Sequence, residues 1–415
     1  MDNEFEQLGV APCLFKRLEE RQINQPTDIQ RKIIPHLNSD KNVFFSSATG
    51  TGKTFAYLLP LLGKLLQKSS SAGTEVLSGI KFFIMAPTLE LCTQIKGELD
   101  FLLTGTQINS ALIIGSVNIE RQIENLRKSK PDVIVGNPNR LLVLAQKKII
   151  KLNNLQSVVF DEADRLTSDE MIDDTKTLCE LIGRFTGKNT NLLIAACSAT
   201  MNKKNQEKLN QIIAPIVKDA QEIEFLESQD NEILRDKIEH WAIFCEKRRK
   251  DQTLRSLLAA IKTKAKKSNV KALIFTSRGD EAAFTLSRLQ YHHVSAAGLF
   301  GKAGKRPLPA EERKAALDSF RSGGVEALVS TDLAARGLDI TGITHVIALD
   351  VPSDSEVYIH RCGRTGRAGK RGIMVTIGDE TQMRLLASME KKLKIKVFPK
   401  EMHYGQILAP DQIEE

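Results

Sequence analysis

The chain has 415 residues, of which 41% are hydrophobic and 27% are charged. A chain of this length is expected to form two or three domains. Its apolar runs fall short of the ~20 residues that a membrane-spanning helix needs. The acidic start, residues 1–6, lacks the apolar segment of a secretory signal. The composition therefore excludes a helical membrane protein and predicts a cytoplasmic one, or a nuclear or nucleolar one if the source is eukaryotic.

Cysteine spacing and charge limit the function classes further. The six cysteines lie at positions 13, 92, 179, 197, 245 and 362, without a Cys-x-x-Cys pair. This spacing argues against a disulfide framework or a zinc site and fits a reducing compartment. The formal net charge is +8, and the excess lies in the second half of the chain. Such an excess permits a polyanionic partner, but a solvated basic surface explains it equally well.

The first 40 residues have the pattern of a helical cap. Apolar residues recur there at loosely helical spacing, at Phe5, Leu8, Leu14, Leu18 and Ile23. The sequence Pro26-Thr27 then interrupts the chain, and Thr27 is suited to cap a helix that begins near Ile29.

A Gly-rich loop follows the first predicted strand, residues 42–45. It reads Ser-Ala-Thr-Gly-Thr-Gly-Lys-Thr over residues 47–54, and an apolar helix, residues 55–66, follows it. A strand, a loop ending in Gly-Lys-Thr and a helix are the context of a phosphate-binding loop. The alternative is a Gly-rich turn that only caps a helix.

Each residue type in this loop has a physical role in holding phosphate. Gly50 and Gly52 let backbone N–H groups curl around phosphate oxygens, and the helix N-terminus adds its dipole. Lys53 can bridge the β- and γ-phosphates, and the Thr54 hydroxyl can bind Mg²⁺. The loop therefore predicts a nucleoside triphosphate site with Mg²⁺.

Further strand-like runs, each ending in polar residues, alternate with helical patterns. They span residues 81–86, 111–114, 132–135, 158–160 and 191–196. Strands that alternate with helices form a parallel sheet, and their polar ends collect at one edge. We therefore expect the phosphate-binding loop and these polar ends to meet.

The run Val158-Val159-Phe160 leads directly into two carboxylates, Asp161 and Glu162. Two adjacent carboxylates at the mouth of a site are costly to desolvate unless a cation accompanies them. This pattern favours Mg²⁺ and a phosphate substrate. The alternative is a buried strand followed by the acidic start of a helix.

The second half repeats the alternation without a phosphate-binding loop of its own. A polar stretch, residues 226–235, predicts an interdomain linker. The strand-like runs after it span residues 239–244, 272–275, 325–330, 345–349 and 373–377. Residues 360–367 read His-Arg-Cys-Gly-Arg-Thr-Gly-Arg, with three arginines spaced three apart. On a loop beside a helix they would form an anion-binding face, although a basic surface loop is the alternative.

Together these ordered motifs resemble the DEAD-box RNA helicases of helicase superfamily 2, over about residues 5–400. The segments that carry the resemblance are Phe5, residues 22–30, 47–54, 87–94, 137–140, 161–164, 198–200 and 272–278, Arg313, and residues 331–339 and 360–367. The resemblance implies two RecA-like α/β domains, each a mostly parallel sheet flanked by helices. The first would span residues 1–225 with an adenine-reading segment at 5–30, and the second 236–400. Residues 401–415 would form a tail.

The resemblance also implies site residues. Nucleotide would be held by Phe5, Gln30, Ser47, Ala48, Thr49, Gly50, Thr51, Gly52, Lys53, Thr54 and Asp339. Mg²⁺ would be held by Thr54 and, through water, by Asp161. Glu162 would orient or deprotonate the attacking water, and Lys53, His360, Arg364 and Arg367 would complete the catalytic set. Coupling between the domains would use Asp164, Ser198, Thr200 and Arg361, together with His360.

The same resemblance implies RNA contacts, and this chain departs from the family pattern at several positions near them. RNA would be bound by Pro87, Thr88, Gly115, Asn137, Arg140, Arg278, Arg313 and Thr331. The family usually has Ala where this chain has Ser47, Arg at Leu89, Gly at Ser116, and Thr and Gly at Asn137 and Asn139. We expect Asn139 to replace Gly in a left-handed conformation. We also expect normal ATP binding with weaker or altered RNA affinity. The basic segment 301–309 is expected to be a solvated loop, and the alternative is that Lys302, Lys305 and Arg306 replace the lost RNA contacts.

The function implied is ATP-dependent RNA helicase activity: hydrolysis of ATP stimulated by RNA and coupled to local unwinding of short duplexes or remodelling of ribonucleoproteins. The protein would act as a monomer, with protein partners for targeting and without a membrane. An alternative is an ATP-gated RNA clamp or assembly scaffold with little unwinding. A DNA helicase of the same superfamily is a third reading, against which the adenine-reading segment argues.

Overall fold

Parallel strands alternate with helices in this computed structural model. The model describes residues 3–47, 50–71, 79–186, 192–199, 201–217, 223–227, 237–264, 270–303, 306–335, 340, 342–366 and 370–412. The chain forms two compact units that divide between residues 229 and 230. No helix among the described residues is long and apolar enough to cross a membrane.

The first unit is built on a seven-stranded parallel sheet of order β3-β4-β2-β5-β6-β1-β7. Its strands are β1 (Val43–Ser46), β2 (Phe82–Met85), β3 (Ser110–Ile113), β4 (Val133–Gly136), β5 (Ser157–Asp161), β6 (Leu193–Ser198) and β7 (Glu224–Glu227). Its helices are α1 (Glu4–Gln7), α2 (Pro12–Glu20), α3 (Asp28–Asn38), α4 (Lys53–Ser71), α5 (Leu89–Leu103), α6 (Ile119–Ser129), α7 (Pro138–Gln146), α8 (Ala163–Leu166), α9 (Ile172–Thr186) and α10 (Lys203–Ile213).

The second unit is built on an eight-stranded sheet of order β10-β13-β9-β14-β15-β8-β16-β17, parallel except for its last pair. Its strands, with a separate hairpin of β11 and β12, are β8 (Ile238–Phe244), β9 (Ala272–Thr276), β10 (Ala296–Leu299), β11 (Lys302–Ala303), β12 (Arg306–Pro307), β13 (Ala327–Thr331), β14 (His345–Ala348), β15 (Gly372–Gly378), β16 (Val397–His403) and β17 (Gln406–Leu408). Its helices are α11 (Lys250–Lys264), α12 (Gly279–Tyr291), α13 (Ala310–Ser322), α14 (Asp332–Ala335), α15 (Ser355–Cys362) and α16 (Glu380–Leu393).

Both faces of each sheet are covered, which explains why the strands read as continuous apolar runs. Successive side chains of a strand point to opposite faces. In β1, Phe45 packs in one core cluster of the first unit and Phe44 in the other. In β9, Phe275 and Ile274 divide in the same way between two clusters of the second unit. The prediction of mostly parallel sheets flanked by helices is confirmed.

The structure corrects several predicted boundaries. Leu226 and Glu227, predicted as linker, belong to β7, which pairs with β1; residues 228–235 of that linker lie outside the described residues. The predicted tail contributes to the second sheet, because β16 runs to His403 and β17 pairs with it. The basic segment 301–309 contains the β11–β12 hairpin rather than only a loop. These elements are short or mostly polar, so they lack the apolar periodicity that marks the interior strands.

Candidate active site

Three neighbouring strands of the first sheet end at the same level. The register pairs Asp161 of β5 with Cys197 of β6, and Ser198 of β6 with Ser46 of β1. The carboxylates, the predicted coupling serine and the Gly-rich loop therefore follow adjacent strand ends. The carboxyl edge of a parallel sheet is where such folds bind ligands, so the register alone brings the predicted nucleotide residues together.

The Gly-rich loop is tied to the edge of the sheet by its own backbone. The Ser47 N–H donates to the Ser198 carbonyl at 3.1 Å, and the Lys53 ammonium donates to the Ser47 carbonyl at 2.7 Å. Gly50 and Gly52 have φ angles of +82° and +91°, which side-chain-bearing residues rarely adopt. The loop therefore curls so that Lys53 lies over it at the start of α4.

Ser47, where the family usually has Ala, is buried, and its hydroxyl is hydrogen-bonded to the Thr51 hydroxyl. A buried hydroxyl without a partner would destabilise the loop. The substitution is accommodated because the partner lies within the same loop.

Gln30 connects the adenine-reading segment to the phosphate-binding loop. Its side-chain carbonyl accepts a hydrogen bond from the Thr27 N–H at 3.0 Å, and its amide nitrogen donates to the Gly52 carbonyl at 3.1 Å. Thr27 and Gln30 form a capping box at the start of α3, as the Thr27 cap prediction requires. In this structure both ends of the Gln30 amide bind the protein itself, so the residue fixes the loop in addition to its predicted contact with adenine.

Gly52→Ala is expected to weaken ATP binding at least about tenfold, because strain and a misplaced backbone each cost on the order of 1 kcal/mol or more. A Cβ atom at Gly52 would lie 2.4 Å from the Gln30 amide nitrogen, and the φ of +91° disfavours any side chain. Equilibrium binding of a fluorescent ATP analogue measures the loss. Gly97→Ala is the matched control, since a Cβ there meets nothing within 4 Å. Equal affinities of the two variants would contradict the expectation.

Phe5, predicted to contact adenine, is fully buried. Its ring packs in the core cluster of the first unit, with its centroid 6.0 Å from that of Phe15. In this structure the ring packs α1 against α2, and its contact with adenine stays a prediction. The sequence signal was correct for an apolar position, but spacing alone does not distinguish a stacking face from a core face.

Asp161 is held by three hydrogen-bond donors. Its Oδ2 accepts from the Tyr57 hydroxyl at 2.8 Å, and its Oδ1 accepts from the Cys197 thiol at 3.1 Å and from the Glu162 N–H at 2.9 Å. Burial, followed by the nearby Asp161 charge, raises the pKa of both Tyr57 and Cys197 well above their usual values. Both groups therefore remain protonated donors at neutral pH.

Glu162 directly follows β5 in a left-handed backbone conformation, with φ 50° and ψ 53°. A side-chain-bearing residue in this region costs on the order of 1–3 kcal/mol, and such strain clusters at functional sites. Its side chain is buried. The left-handed backbone at Glu162 turns the chain between β5 and α8.

Two predicted coupling residues of the first unit lie beside this pair. Asp164 is half-buried in α8, and its carboxylate accepts from the Arg165 N–H at 3.0 Å. Ser198 is fully buried at the end of β6. Both lie at the same edge of the sheet as Asp161.

Arg361, predicted to couple the domains, is 1% exposed inside the second unit. Its guanidinium donates to both oxygens of Asp332, at 2.6 and 2.7 Å, and to Asp350 at 2.8 Å. Burial opposes the charged form, but the hydrogen bonds and charge of Asp332, followed by Asp350, outweigh it and raise the pKa of Arg361. The contacts that the structure gives Arg361 are thus internal to the second unit, where it joins α15 to the ends of two strands.

His360 and Arg364, predicted as catalytic, are also largely buried in the second unit. The Arg364 guanidinium donates through Nε to the His360 carbonyl at 3.2 Å, one turn back along the chain. This contact holds Arg364 beside the end of α15.

The predicted RNA residues of the first unit cluster at the starts of α5 and α7. The Thr88 hydroxyl caps α5 by accepting from the Leu91 N–H at 3.2 Å, and Pro87 immediately precedes it. The Arg140 guanidinium donates to the carbonyls of Gly115 and Val117, at 2.7 and 2.9 Å. Arg140 therefore fixes the turn after β3 to α7.

The expected left-handed conformation at Asn139 is wrong. Asn139 belongs to α7, and Asn137 occupies the N-cap position in an extended conformation. The Asn139 amide donates to the Asp174 carboxylate at 3.1 Å. Because Pro138 starts the helix with a helical φ, the residue after it continues the helix and needs no glycine-like freedom.

In the second unit, Arg278 is exposed at the N-cap position of α12, and its guanidinium lies 3.5 Å from the Glu281 carboxylate. Arg313 lies in α13, and Thr331 ends β13. Of the remaining predicted site residues, Gly50 and Thr51 lie in the loop above and Thr54 lies in the first turn of α4, while the others lie outside the described residues. Those outside are Ala48, Thr49, Thr200, Asp339 and Arg367.

Sequence reasoning missed four residues that hold the predicted ones in place. Tyr57 and Cys197 contact Asp161, and Asp332 and Asp350 contact Arg361. Asp332 and Asp350 directly follow strands, which is a signal that the sequence contains. Tyr57 and Cys197 read as ordinary core positions, and only strand register and helix packing place them against a carboxylate.

Comparison with known proteins agrees with this geometry. The DEAD/DEAH box helicase model matches residues 27–209, and the helicase conserved C-terminal domain model matches residues 249–369. The DEAD-box ATP-dependent RNA helicase CshC of Bacillus cereus is 34% identical over 399 residues, which cover 96% of this chain and 94% of that protein. CshA of Bacillus subtilis is 33% identical over 396 residues, covering 95% and 73%.

Solved structures also match along nearly the whole chain. S. cerevisiae Dbp5, solved with RNA and ADP BeF3, aligns with a TM-score of 0.80 and 26% identity over 97% of this chain and 96% of that chain. The matched family models fall on both units, and the first model spans the Gly-rich loop and the carboxylates at the end of β5. The chain belongs to the DEAD-box RNA helicase family.

Proposed function

We propose that the chain is an ATP-dependent RNA helicase that hydrolyses ATP in the first unit when RNA is bound and opens short duplexes locally. The observation that carries this proposal is the register of β5, β6 and β1, which sets Asp161 and Glu162 beside the Gly-rich loop. Phosphoryl transfer needs positioning and electrostatic stabilisation more than covalent chemistry, and this arrangement supplies both.

Mg²⁺ fits the residues present. Mg²⁺ is usually bound by one or two protein groups, the substrate phosphates and water. Asp161 and Thr54 are the protein groups that would hold it, and it would neutralise charge on the phosphates.

The chemistry divides among residues of both units. Lys53 would hold the β- and γ-phosphates, and Glu162 would accept a proton from the attacking water. Arg364, Arg367 and His360 would stabilise negative charge that develops on the γ-phosphate. Asp339 would contact ribose in the same bound state.

Residues around the starts of α5 and α7 would contact the sugar-phosphate backbone of RNA. Arg278, Arg313 and Thr331 of the second unit would contribute further contacts. Asp164, Ser198 and Thr200 would link RNA binding to hydrolysis. If RNA and ATP favour the same state of the protein, each should tighten the other by linkage. Leu89, which packs partly against the core where the family has Arg, removes a basic group from this surface. We therefore propose an altered RNA affinity.

The organisation that we propose is an N-terminal ATP-binding helicase domain that includes the adenine-reading segment and extends through β7, beyond residue 225, followed by a C-terminal helicase domain. The C-terminal domain extends through β17, beyond residue 400. We further propose that the protein works in the cytoplasm as a monomer.

The proposal is tested by measuring the ATPase rate in the presence of single-stranded RNA and in the presence of single-stranded DNA of the same sequence. RNA is expected to stimulate hydrolysis at least about tenfold more than DNA, because 2′-hydroxyl contacts distinguish the two. Equal stimulation would overturn the assignment to RNA. A strand-displacement assay run beside it separates unwinding from clamping: a long-lived ATP-dependent RNA complex without displacement would favour the clamp.

A further inference from the structure

The Asp161 carboxylate is oriented by side chains that no motif contains. A carboxylate offers about four acceptor positions. Three are occupied: the Tyr57 hydroxyl lies 2.8 Å from Oδ2, and the Cys197 thiol and Glu162 N–H lie 3.1 and 2.9 Å from Oδ1. The fourth position, on Oδ2, is the one left for a ligand.

Neither Tyr57 nor Cys197 can reach a ligand itself. Both side chains are fully buried. Tyr57 lies on α4, one helical turn after Lys53, and Cys197 lies on β6 in register with Asp161. They thus approach the carboxylate from two different elements, so together they fix both its position and its rotation.

We propose that Tyr57 and Cys197 are positioning residues for Mg²⁺: they hold the Asp161 carboxylate so that one acceptor position on Oδ2 stays open, and a metal-bound water would use that position. The inference rests on the proposed function, because it concerns the metal of that nucleotide site. Groups that orient a metal ligand in this way typically change metal affinity 10- to 100-fold when they are removed.

The test compares Tyr57→Phe, Cys197→Ala and Cys197→Ser in the full chain. A fluorescent ADP analogue is titrated in EDTA and over a series of Mg²⁺ concentrations. In EDTA the three variants are expected to bind it as the wild type does. The Mg²⁺ concentration that gives half of the metal-dependent gain in affinity is expected to rise about tenfold for Tyr57→Phe and Cys197→Ala. Cys197→Ser retains a donor and is expected to stay near the wild-type value.

Asp161→Asn alters the predicted metal ligand itself and is expected to give the largest shift in the Mg²⁺ concentration. Cys179→Ala is the control for the loss of a buried thiol elsewhere in the same unit. Unchanged Mg²⁺ dependence in both Tyr57→Phe and Cys197→Ala overturns the inference. So does an equal shift in Cys179→Ala, which would indicate a general loss of packing. If the nucleotide affinity of the wild type did not depend on the Mg²⁺ concentration, the proposed nucleotide site itself would be wrong. The two failures are therefore distinguishable.

Discussion

Glu162→Gln is expected to bind ATP as tightly as the wild type and to hydrolyse it about 10²- to 10⁴-fold more slowly, the range for loss of a general base. The amide keeps the size of the side chain and cannot accept a proton. Binding should survive because the contacts of the Gly-rich loop come from other residues, among them Lys53 and the backbone at Gly52. Steady-state and single-turnover ATPase rates at saturating RNA, with equilibrium binding of an ATP analogue, measure both halves of the expectation.

Glu170→Gln is the matched control for this prediction. Glu170 lies a few residues along the chain and is exposed, with 81% of its side chain accessible. Its substitution removes the same charge from the same region without entering the site, and turnover should stay within about twofold, since surface substitutions change free energies by about 0.5 kcal/mol or less. If Glu162→Gln turned over ATP as fast as this control, the role given to the end of β5 would be wrong.

Arg361→Met is expected to destabilise the second unit by about 3–5 kcal/mol, the usual result of breaking a buried charge pair from one side. The substitution leaves Asp332 and Asp350 facing an apolar group in a largely buried setting. Both carboxylates lose their guanidinium partner, and Asp350 also lies beside the Ser277 N–H that it holds. Thermal unfolding of the full chain measures the loss, and hydrogen exchange of β13 and β14 localises it to the second unit.

Arg384→Met is the matched control, because it removes the same charge from an exposed arginine instead of a buried one. Arg384 pairs with Glu380 on α16, and both side chains are more than 70% exposed. An exposed pair contributes about 0–1 kcal/mol, so this variant should unfold close to the wild type. If Arg361→Met unfolded at the same temperature as Arg384→Met but lost RNA stimulation of the ATPase, then Arg361 would act in coupling, as the family resemblance implies, rather than in stability.

The two predictions concern different kinds of motif residue. Glu162 has a left-handed backbone conformation at the end of β5. Arg361 is buried and forms ion pairs with Asp332 and Asp350. Both belong to recognisable motifs, and a motif match alone does not distinguish a residue that meets the substrate from one that holds the fold. Burial and partners bear on that distinction: the contacts that the structure gives Arg361 lie within the second unit, and its coupling role stays a prediction.

The sequence by itself determined the α/β class, the alternation of strands and helices and the family. Interior parallel strands bury both faces, so each one reads as an apolar run that ends in polar residues. The Gly-rich loop could also be recognised from the sequence, because residues other than glycine rarely adopt the φ angles of Gly50 and Gly52. Edge and terminal elements such as β7, β16 and β17 were missed, since a half-exposed strand carries a weak pattern.

Tertiary structure alone decided which groups surround the predicted site. Tyr57 reaches Asp161 from a helix that begins more than a hundred residues upstream, and Cys197 reaches it across a pair of strands. Tertiary structure also placed Asn139 within a helix, against the sequence prediction. The physical reason is the same in each case: periodicity records which face of an element is apolar, whereas the partner of a side chain depends on register and packing between distant segments, which local sequence does not encode.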